Sequence, residues 1–482
     1  MAKKSIKRNY IYNLSYQVLS LITPLITAPY LARVLGADGI GTVSYAESVV
    51  SYFTLFATLG LTTFGQREIS YVQDSEEKRT CVFWETKVFE VVTTGVVLLL
   101  YLPFALLQTN RVIYLILGLN LLAVIANITW FFQGMEEFGI IVLRNTIFKI
   151  LGILYIFFVV KTSQDVSKYV FGTAIFNLLS NISLWVYLPK YLGKPQWSHI
   201  KPFNNVRTVL SLFIPTIAIQ IYTVLDKTMI GLITRNAFEN GYYAQAITIS
   251  KMVLIVVTSL GTVMIPRIGY YYGKGEKETV QSLMYRGYRF VWFLGIPLCF
   301  GLISVSSNFV PWFFGPGYEK VIPLLSILSF LILAIGINNV TGMQYLIPTK
   351  RQNLFTVTVL IGAGVNFALN LLLIHFYQSI GAAVSSVAAE TVIALVQLYF
   401  VRKELSVKRV FFSCWNYLLA GIVMLVSLKL LQTKLDPSIL HTAFLIICGI
   451  IIYFTILLCA RDLFFYENMK SIMTKVQRRI SI

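Results

Sequence analysis

Charge is scarce in this 482-residue chain: Asp, Glu, Lys and Arg together make up 13% of it. The longest polar stretches, at 63–87, 190–207, 266–289 and the tail from Asp462, are about 20 residues each. None is long enough to bury a core of its own, which excludes a separate soluble domain. Cysteine is also sparse. The five have no close pair, so they give neither a disulfide framework nor metal-ligand spacing. Cys299, Cys414, Cys448 and Cys459 fall inside apolar runs, where they pack as small hydrophobes. The three histidines, His199, His375 and His441, are scattered, which leaves metal chemistry little support. No phosphate-cradling glycine loop occurs, so ATP is not the energy source, and no cofactor is expected.

What the chain has instead is 57% hydrophobic residues and a mean hydropathy of +0.72. The apolar residues form about fourteen runs, most of them 20 to 25 residues long, near 10–34, 41–62, 86–107, 112–132, 139–160, 169–189, 207–233, 243–265, 289–308, 321–344, 353–376, 381–401, 413–432 and 441–460. Roughly 20 apolar residues cross about 30 Å of hydrocarbon as a helix, the one single-segment structure that satisfies its own backbone in lipid. The expected fold class is an all-α polytopic membrane protein. The net charge of +19 would suggest nucleic acid in a soluble protein, but here it reads as orientation. With the N-terminus inside, 30 Lys and Arg fall on cytoplasmic segments and seven on outer ones, so both termini are expected in the cytoplasm and no nucleic-acid partner is expected. The basic start (Lys3, Lys4, Lys7, Arg8) imitates a signal peptide, but its apolar run is about 25 residues long and lacks a small-residue cleavage pattern, so it is expected to remain as helix 1.

Helices 1 and 2 have an echo in helices 7 and 8. The first pair carries Pro24, LGADGIGTVSYAES at 35–48 and LGLTTFGQREI at 59–69; the second carries Pro215, ENGYYAQAITIS at 239–250 and LGTVMIPRI at 260–268. This predicts two pseudo-symmetric six-helix lobes, 1–205 and 206–404, followed by helices 13 and 14 with a basic tail at 405–482. Each half has an even number of spans, so the repeat is parallel about the membrane normal.

Several spans carry polar residues at helical spacing. In helix 2, Glu47, Ser51, Thr54 and Thr58 form one narrow face; helix 7 has Thr216, Gln220, Thr223 and Lys227; helix 8 has Thr248, Lys251, Thr258 and Thr262. Helix 6 adds Asn177 and Asn181, helix 11 Asn366 and Asn370, helix 12 Glu390 and Gln397. Ser and Thr alone suit helix-to-helix hydrogen bonding, whereas stripes that include charge suit a water-filled cavity, because unpaired charge in hydrocarbon costs several kcal/mol. Counting 1.5 Å per residue, Glu47 and Lys227 lie roughly 9 Å below the outer surface and Lys251 roughly 12 Å. Arg33 and Asp226 share that layer, leaving one positive charge over after local pairing. Arg33 has an alternative as a residue snorkelling to the surface, and Asp226 as the ion-pair partner of a lysine. Arg144 and Lys149 of helix 5 form a second, inner basic contact, Lys149 being roughly 15 Å from the cytoplasmic end. The expected anion grip is therefore Arg33, Lys227, Lys251, Arg144 and Lys149, with Glu47, Asp226 and Glu390 as coupling or ion-pair residues. The aromatic run FVPWFFGPGYEK at 309–320 reads as a membrane belt ahead of a sugar platform.

At these residues the chain resembles the polysaccharide transporter branch of the multidrug/oligosaccharidyl-lipid/polysaccharide exporter superfamily, the Wzx-type lipid-linked oligosaccharide flippases. The carriers are PLITAPYLARVLGADGIGTVSYAES at 24–48, LDKTMIG at 225–231, GYYAQA at 241–246 and PRIGYYYGKGEKE at 266–278. The resemblance implies two lobes facing a cationic cavity, alternating access by rocking of the lobes, and a bacterial plasma-membrane location. The implied substrate is an undecaprenyl-diphosphate-linked repeat unit bound for capsule or another surface polysaccharide. Membrane lipids and the polymerase machinery are the implied partners, and H⁺, Na⁺ or the membrane potential the implied drive. Other readings stay open: a teichoic-acid or peptidoglycan-precursor flippase, a drug/cation antiporter of the same superfamily, and a membrane glycosyltransferase or polymerase. The last would need acidic residues in a large outer loop, and no outer loop exceeds about a dozen residues.

Overall fold

In the computed structural model, which describes residues 6–467 and side chains from residue 19 onward, the chain is helical throughout, with no strand among the described residues. Thr262 and Pro215, named above in the repeat and its polar stripe, lie outside the described side chains, and most of the basic tail lies beyond residue 467. Twelve helical stretches among the described residues are long and apolar enough to cross a membrane. The first helix, α1 (Ile6–Thr58), has 53 residues and would run about 80 Å if straight, more than twice a bilayer core. It is not straight. Gly36 sits at φ 69°, ψ 174°, where a side chain is strained, and splits α1 into the two passes expected as helices 1 and 2. With α9 (Val206–Thr234) these bring the passes to the expected fourteen.

Two of the polar stretches expected as loops are helices. After the left-handed Leu59 and Gly60, α2 (Leu61–Tyr71) leads into α3 (Glu76–Leu107), which Ser75 caps by accepting from the Lys78 backbone N–H. The echo repeats this: α10 (Ala237–Thr258) breaks at Ser259 and Leu260, α11 (Gly261–Gly273) follows, and α12 (Lys277–Phe314) begins well before its apolar run. Charged residues continue these helices because outside lipid a helix has no need of an apolar surface. Helix 4 is built of three pieces, α4 (Arg111–Leu117), α5 (Leu119–Ala126) and α6 (Thr129–Gly134), interrupted at Gly118 and Asn127. Then come α7 (Phe138–Val159) and α8 (Val166–Ser183). Helix 10 is likewise divided into α13 (Val321–Leu328), α14 (Leu331–Asn338) and a π-helical segment, Asn339–Leu346. The remaining passes are α15 (Gln352–Tyr377), α16 (Ser379–Val401), α17 (Val407–Phe412) continuing into α18 (Trp415–Gln432), and α19 (Ile439–Cys459).

Contacts group the chain into two compact units, 1–241 and 242–482, the division falling inside α10. In the first unit, Phe83, Trp130, Phe131 and Phe132 are fully buried where α3 meets α6: Phe83 stacks on Trp130 and meets Phe131 edge to face, as Phe131 meets Phe132. In the second, α12, α18 and α19 share a core around Tyr288, Tyr417 and Tyr453. The aromatic run at 309–320 turns inward: Phe313, Phe314 and Tyr318 are buried, Phe314 stacking on Tyr318 and meeting Phe313 edge to face, while Trp312 donates to Thr442 Oγ1. Most of these rings are thus core side chains, with neither the exposure of a belt nor that of a platform.

Candidate polar site of the first unit

The second half of α1 places its hydroxyl and carboxylate stripe towards two neighbours. Against α9 it packs closely: a Cβ on Gly231 would lie 2.1 Å from the Tyr45 ring, so only glycine fits there. Thr228 Oγ1 donates to Ser48 Oγ at 3.0 Å and lies 3.1 Å from Tyr52 Oη. This packing brings Lys227 within electrostatic reach of Glu47, and Asp226 within reach of Tyr52. Glu47 on α1 and Asp226 and Lys227 on α9 thus lie on two adjoining helices. Arg33 lies exposed on α1 before the Gly36 kink.

On its other side the stripe faces a cavity of about 340 Å³ between α1, α5 and α8. Its polar lining is Glu47, Ser51 and Thr54 from α1, Asn120 and Asn127 from α5 and its end, and Asn177 and Asn181 from α8; Val50, Ala123 and Val124 supply apolar wall. Glu47 is exposed there. Its carboxylate accepts no hydrogen bond from the described residues.

Arg144 belongs to the framework behind this cavity. Arg144 is 8% exposed; its Nη1 donates to Ser180 Oγ at 3.0 Å and Asn181 Oδ1 at 3.1 Å, and its Nη2 to Thr129 Oγ1 at 3.0 Å. From Asn181 the bonding continues through Nδ2 to Asn177 Oδ1 at 3.4 Å, and from Asn177 Nδ2 to Asn120 Oδ1 at 2.9 Å. The direction is fixed at the head. A guanidinium only donates, so Asn181 must present its oxygen to Arg144 and its nitrogen to Asn177, and each amide passes that orientation on. Lys149 Nζ donates to Ser20 Oγ of α1 at 2.8 Å.

Below the cavity lies an ion pair that the sequence reading missed. Lys87 and Glu90 of α3 are 2.5 Å apart with side chains 3% and 1% exposed, and Lys87 also donates to the Asn127 carbonyl at 3.0 Å. Asn120 and Asn127 were missed too. Their seven-residue spacing was the available signal, since i and i+7 share a helix face.

The two remaining candidates lie in the second unit. Lys251 is exposed on α10. Glu390 of α16 is buried and accepts from Asn338 Nδ2 at 3.0 Å, in a polar cluster where Gln397 also donates to Asn338 Oδ1 and Thr358 Oγ1.

Comparison with known proteins adds an independent line. Residues 6–271 match the family described as "Polysaccharide biosynthesis protein". The chain is 27% identical over 416 residues, 83% of its own length, to a protein of Escherichia coli (strain K12) named as an O-antigen transporter, 98% of which is covered. It is 21% identical over 436 residues, 89% of its length, to a protein of Haloferax volcanii named as a low-salt glycan biosynthesis flippase, 90% of which is covered. Among solved structures, the lipid II flippase MurJ in an inward closed conformation superposes with a TM-score of 0.68 at 17% identity, covering 94% of this chain and 99% of that one. An inward-facing multidrug resistance MATE family transporter of the MOP superfamily gives 0.59 at 13% identity, covering 82% and 98%. At these identities the structural likeness is one of fold.

Proposed function

Because the chain belongs to the polysaccharide biosynthesis protein family, we propose that it is a flippase, one that carries undecaprenyl-diphosphate-linked oligosaccharide repeat units from the cytoplasmic to the outer leaflet for surface polysaccharide synthesis. The observation that carries this reading is the basic content of its membrane-spanning helices. Arg33, Arg144, Lys149, Lys227 and Lys251 all lie on helices that cross lipid, where each cation is costly. A diphosphate needs such a wet, basic path, while its polyprenyl tail can stay in the bilayer. The names of the relatives, an O-antigen transporter and a glycan biosynthesis flippase, support the same substrate class. The two pseudo-symmetric lobes expected from the repeat would then rock about the substrate in alternating access, with both termini in the cytoplasm.

Lys227 and Lys251 are the diphosphate contacts in this reading. Replacing either by Gln is expected to stop surface polysaccharide production and to leave the lipid-linked unit accumulating inside, with the protein still inserted in the membrane. Normal export by the double variant would remove both lysines from the site.

A further inference from the structure

We propose that the cavity between α1, α5 and α8 is a sugar-ring subsite, a pocket for one neutral monosaccharide of the transported glycan, distinct from the lysines assigned to the diphosphate. The proposal rests on the flippase reading for the identity of the cargo and on the cavity's own hydrogen-bonding for its chemistry.

The two walls are polarised in opposite senses. On the α1 wall, Ser51 Oγ donates to the Ser48 carbonyl at 2.6 Å and Thr54 Oγ1 to the Ser51 carbonyl at 2.9 Å. Their hydroxyl hydrogens are thus spent within the helix, and what remains for the cavity is lone pairs. Glu47 adds an acceptor carboxylate, so this wall accepts. The opposite wall donates. The relay from Arg144 engages the carboxamide oxygens of Asn181, Asn177 and Asn120 in turn, one accepted bond each, and ends at Asn120 Nδ2, which has no partner among the described residues. Asn127 behaves alike: its Oδ1 accepts from the Thr129 backbone N–H at 2.9 Å, leaving Nδ2 as the group to spare. A buried guanidinium at the head strengthens each bond of such a chain.

A cavity with acceptors on one side and donors on the other suits a ligand whose every polar group does both. Neutral hydroxyls have that property. An inorganic anion would face the Glu47 carboxylate, and a bare cation would face amide hydrogens on the α5 and α8 side. The volume, about 340 Å³, equals that of roughly ten water molecules, in the size range of a hexose with its twelve heavy atoms. Val50, Ala123 and Val124 supply the apolar surface that a ring's C–H face needs. In this arrangement Glu47 binds hydroxyls, a role different from the ion coupling expected of it.

The test uses the full-length protein purified in detergent. The probe is the water-soluble oligosaccharide released by mild acid from the host cell's own lipid-linked units, with NaCl against choline chloride as the ion arm. Saturation-transfer NMR is expected to show binding of the released glycan, weakened roughly fivefold to tenfold by Asn177→Leu and by Glu47→Gln, each of which removes one or two hydrogen bonds. Lys251→Gln, on α10 and outside the cavity lining, should stop export while glycan binding persists, which separates this subsite from the diphosphate contacts. Asn177→Ser, which keeps a small polar side chain, guards against loss of fold and should bind with intermediate affinity. Equal glycan binding by wild type and both cavity variants overturns the subsite while leaving the flippase reading intact. Thermal stabilisation by Na⁺ that Asn177→Leu abolishes, with no glycan effect, overturns it in favour of a cation site. Failure of the wild type to move lipid-linked units in proteoliposomes overturns the flippase reading and the premise taken from it.

Discussion

Lys87 and Glu90 show what a single buried pair does in this bundle. The two are 2.5 Å apart and nearly inaccessible, and Lys87 also holds the Asn127 carbonyl where helix 4 breaks. Two charges taken out of water together roughly break even, but removing one strands the other, at about 3 to 5 kcal/mol. Glu90→Ala is therefore expected to lower the unfolding temperature of the purified protein sharply, and Lys87→Met with Glu90→Leu to restore most of the loss. An unchanged melting curve for Glu90→Ala would show that the pair is hydrated. Of these residues the sequence yielded only part. Lys87 read as the end of a cytoplasmic stretch, and Glu90 was absorbed into the apolar run that starts beside it. Glu47, Asn177 and Asn181 were legible because each shares a helix face with polar neighbours. That Arg144 meets Asn181 was not, since α7 and α8 are brought together by packing that no periodicity records.

At the scale of elements, the echo between helices 1–2 and 7–8 acquires a physical meaning. Ala37 and Gly41 of α1 meet Ala237 and Gly241 of α10 reciprocally: a Cβ on Gly41 would lie 1.7 Å from the Ala237 carbonyl oxygen, and one on Gly241 would lie 2.0 Å from that of Ala37. Both copies have a small residue four positions from a glycine, the pattern that lets helix backbones touch in lipid. Gly41→Ala and Gly241→Ala must each push the backbones apart, with a cost of about 1 to 3 kcal/mol or more. Gly95→Ala and Gly152→Ala are the controls. A Cβ there meets nothing within 4 Å, so the helix gains up to about 1 kcal/mol. Thermal unfolding of the four variants should split in that order, and Gly41→Ala melting with Gly95→Ala would remove the contact. Sequence comparison showed that the two segments are alike. It did not show that they touch, because likeness arises from shared local geometry while contact depends on the path of everything between them. The helical extensions α2 and α11 were hidden for a related reason: outside lipid, hydropathy no longer distinguishes helix from loop.

For the whole molecule, charge placement and the proposed cargo together determine how the membrane potential acts. With the termini inside, as the positive-inside rule expects of thirty basic residues against seven, the proposed export would carry the headgroup out of an inside-negative interior. A diphosphate has about two negative charges, and each is worth roughly 2.3 kcal/mol per 100 mV, so the field favours outward movement by about 4 to 5 kcal/mol per cycle. The amount does not depend on which half-cycle bears the charge. If the lysines neutralise the cargo, the loaded step is electrically silent and the empty, positive site is drawn back inward; if they do not, the loaded step itself is driven. Proteoliposomes decide the matter once orientation is scored by an impermeant thiol reagent, which should label Gln164→Cys from outside and Gln196→Cys only after permeabilisation. Flipping of lipid-linked units in correctly oriented vesicles is expected to accelerate when a potassium gradient with valinomycin makes the interior negative, and to slow when the potential is clamped at zero. A rate indifferent to potential would overturn this electrogenic account, whereas acceleration by an imposed Na⁺ or pH gradient in addition to the potential would mean that an ion moving inward with each cycle adds to the drive.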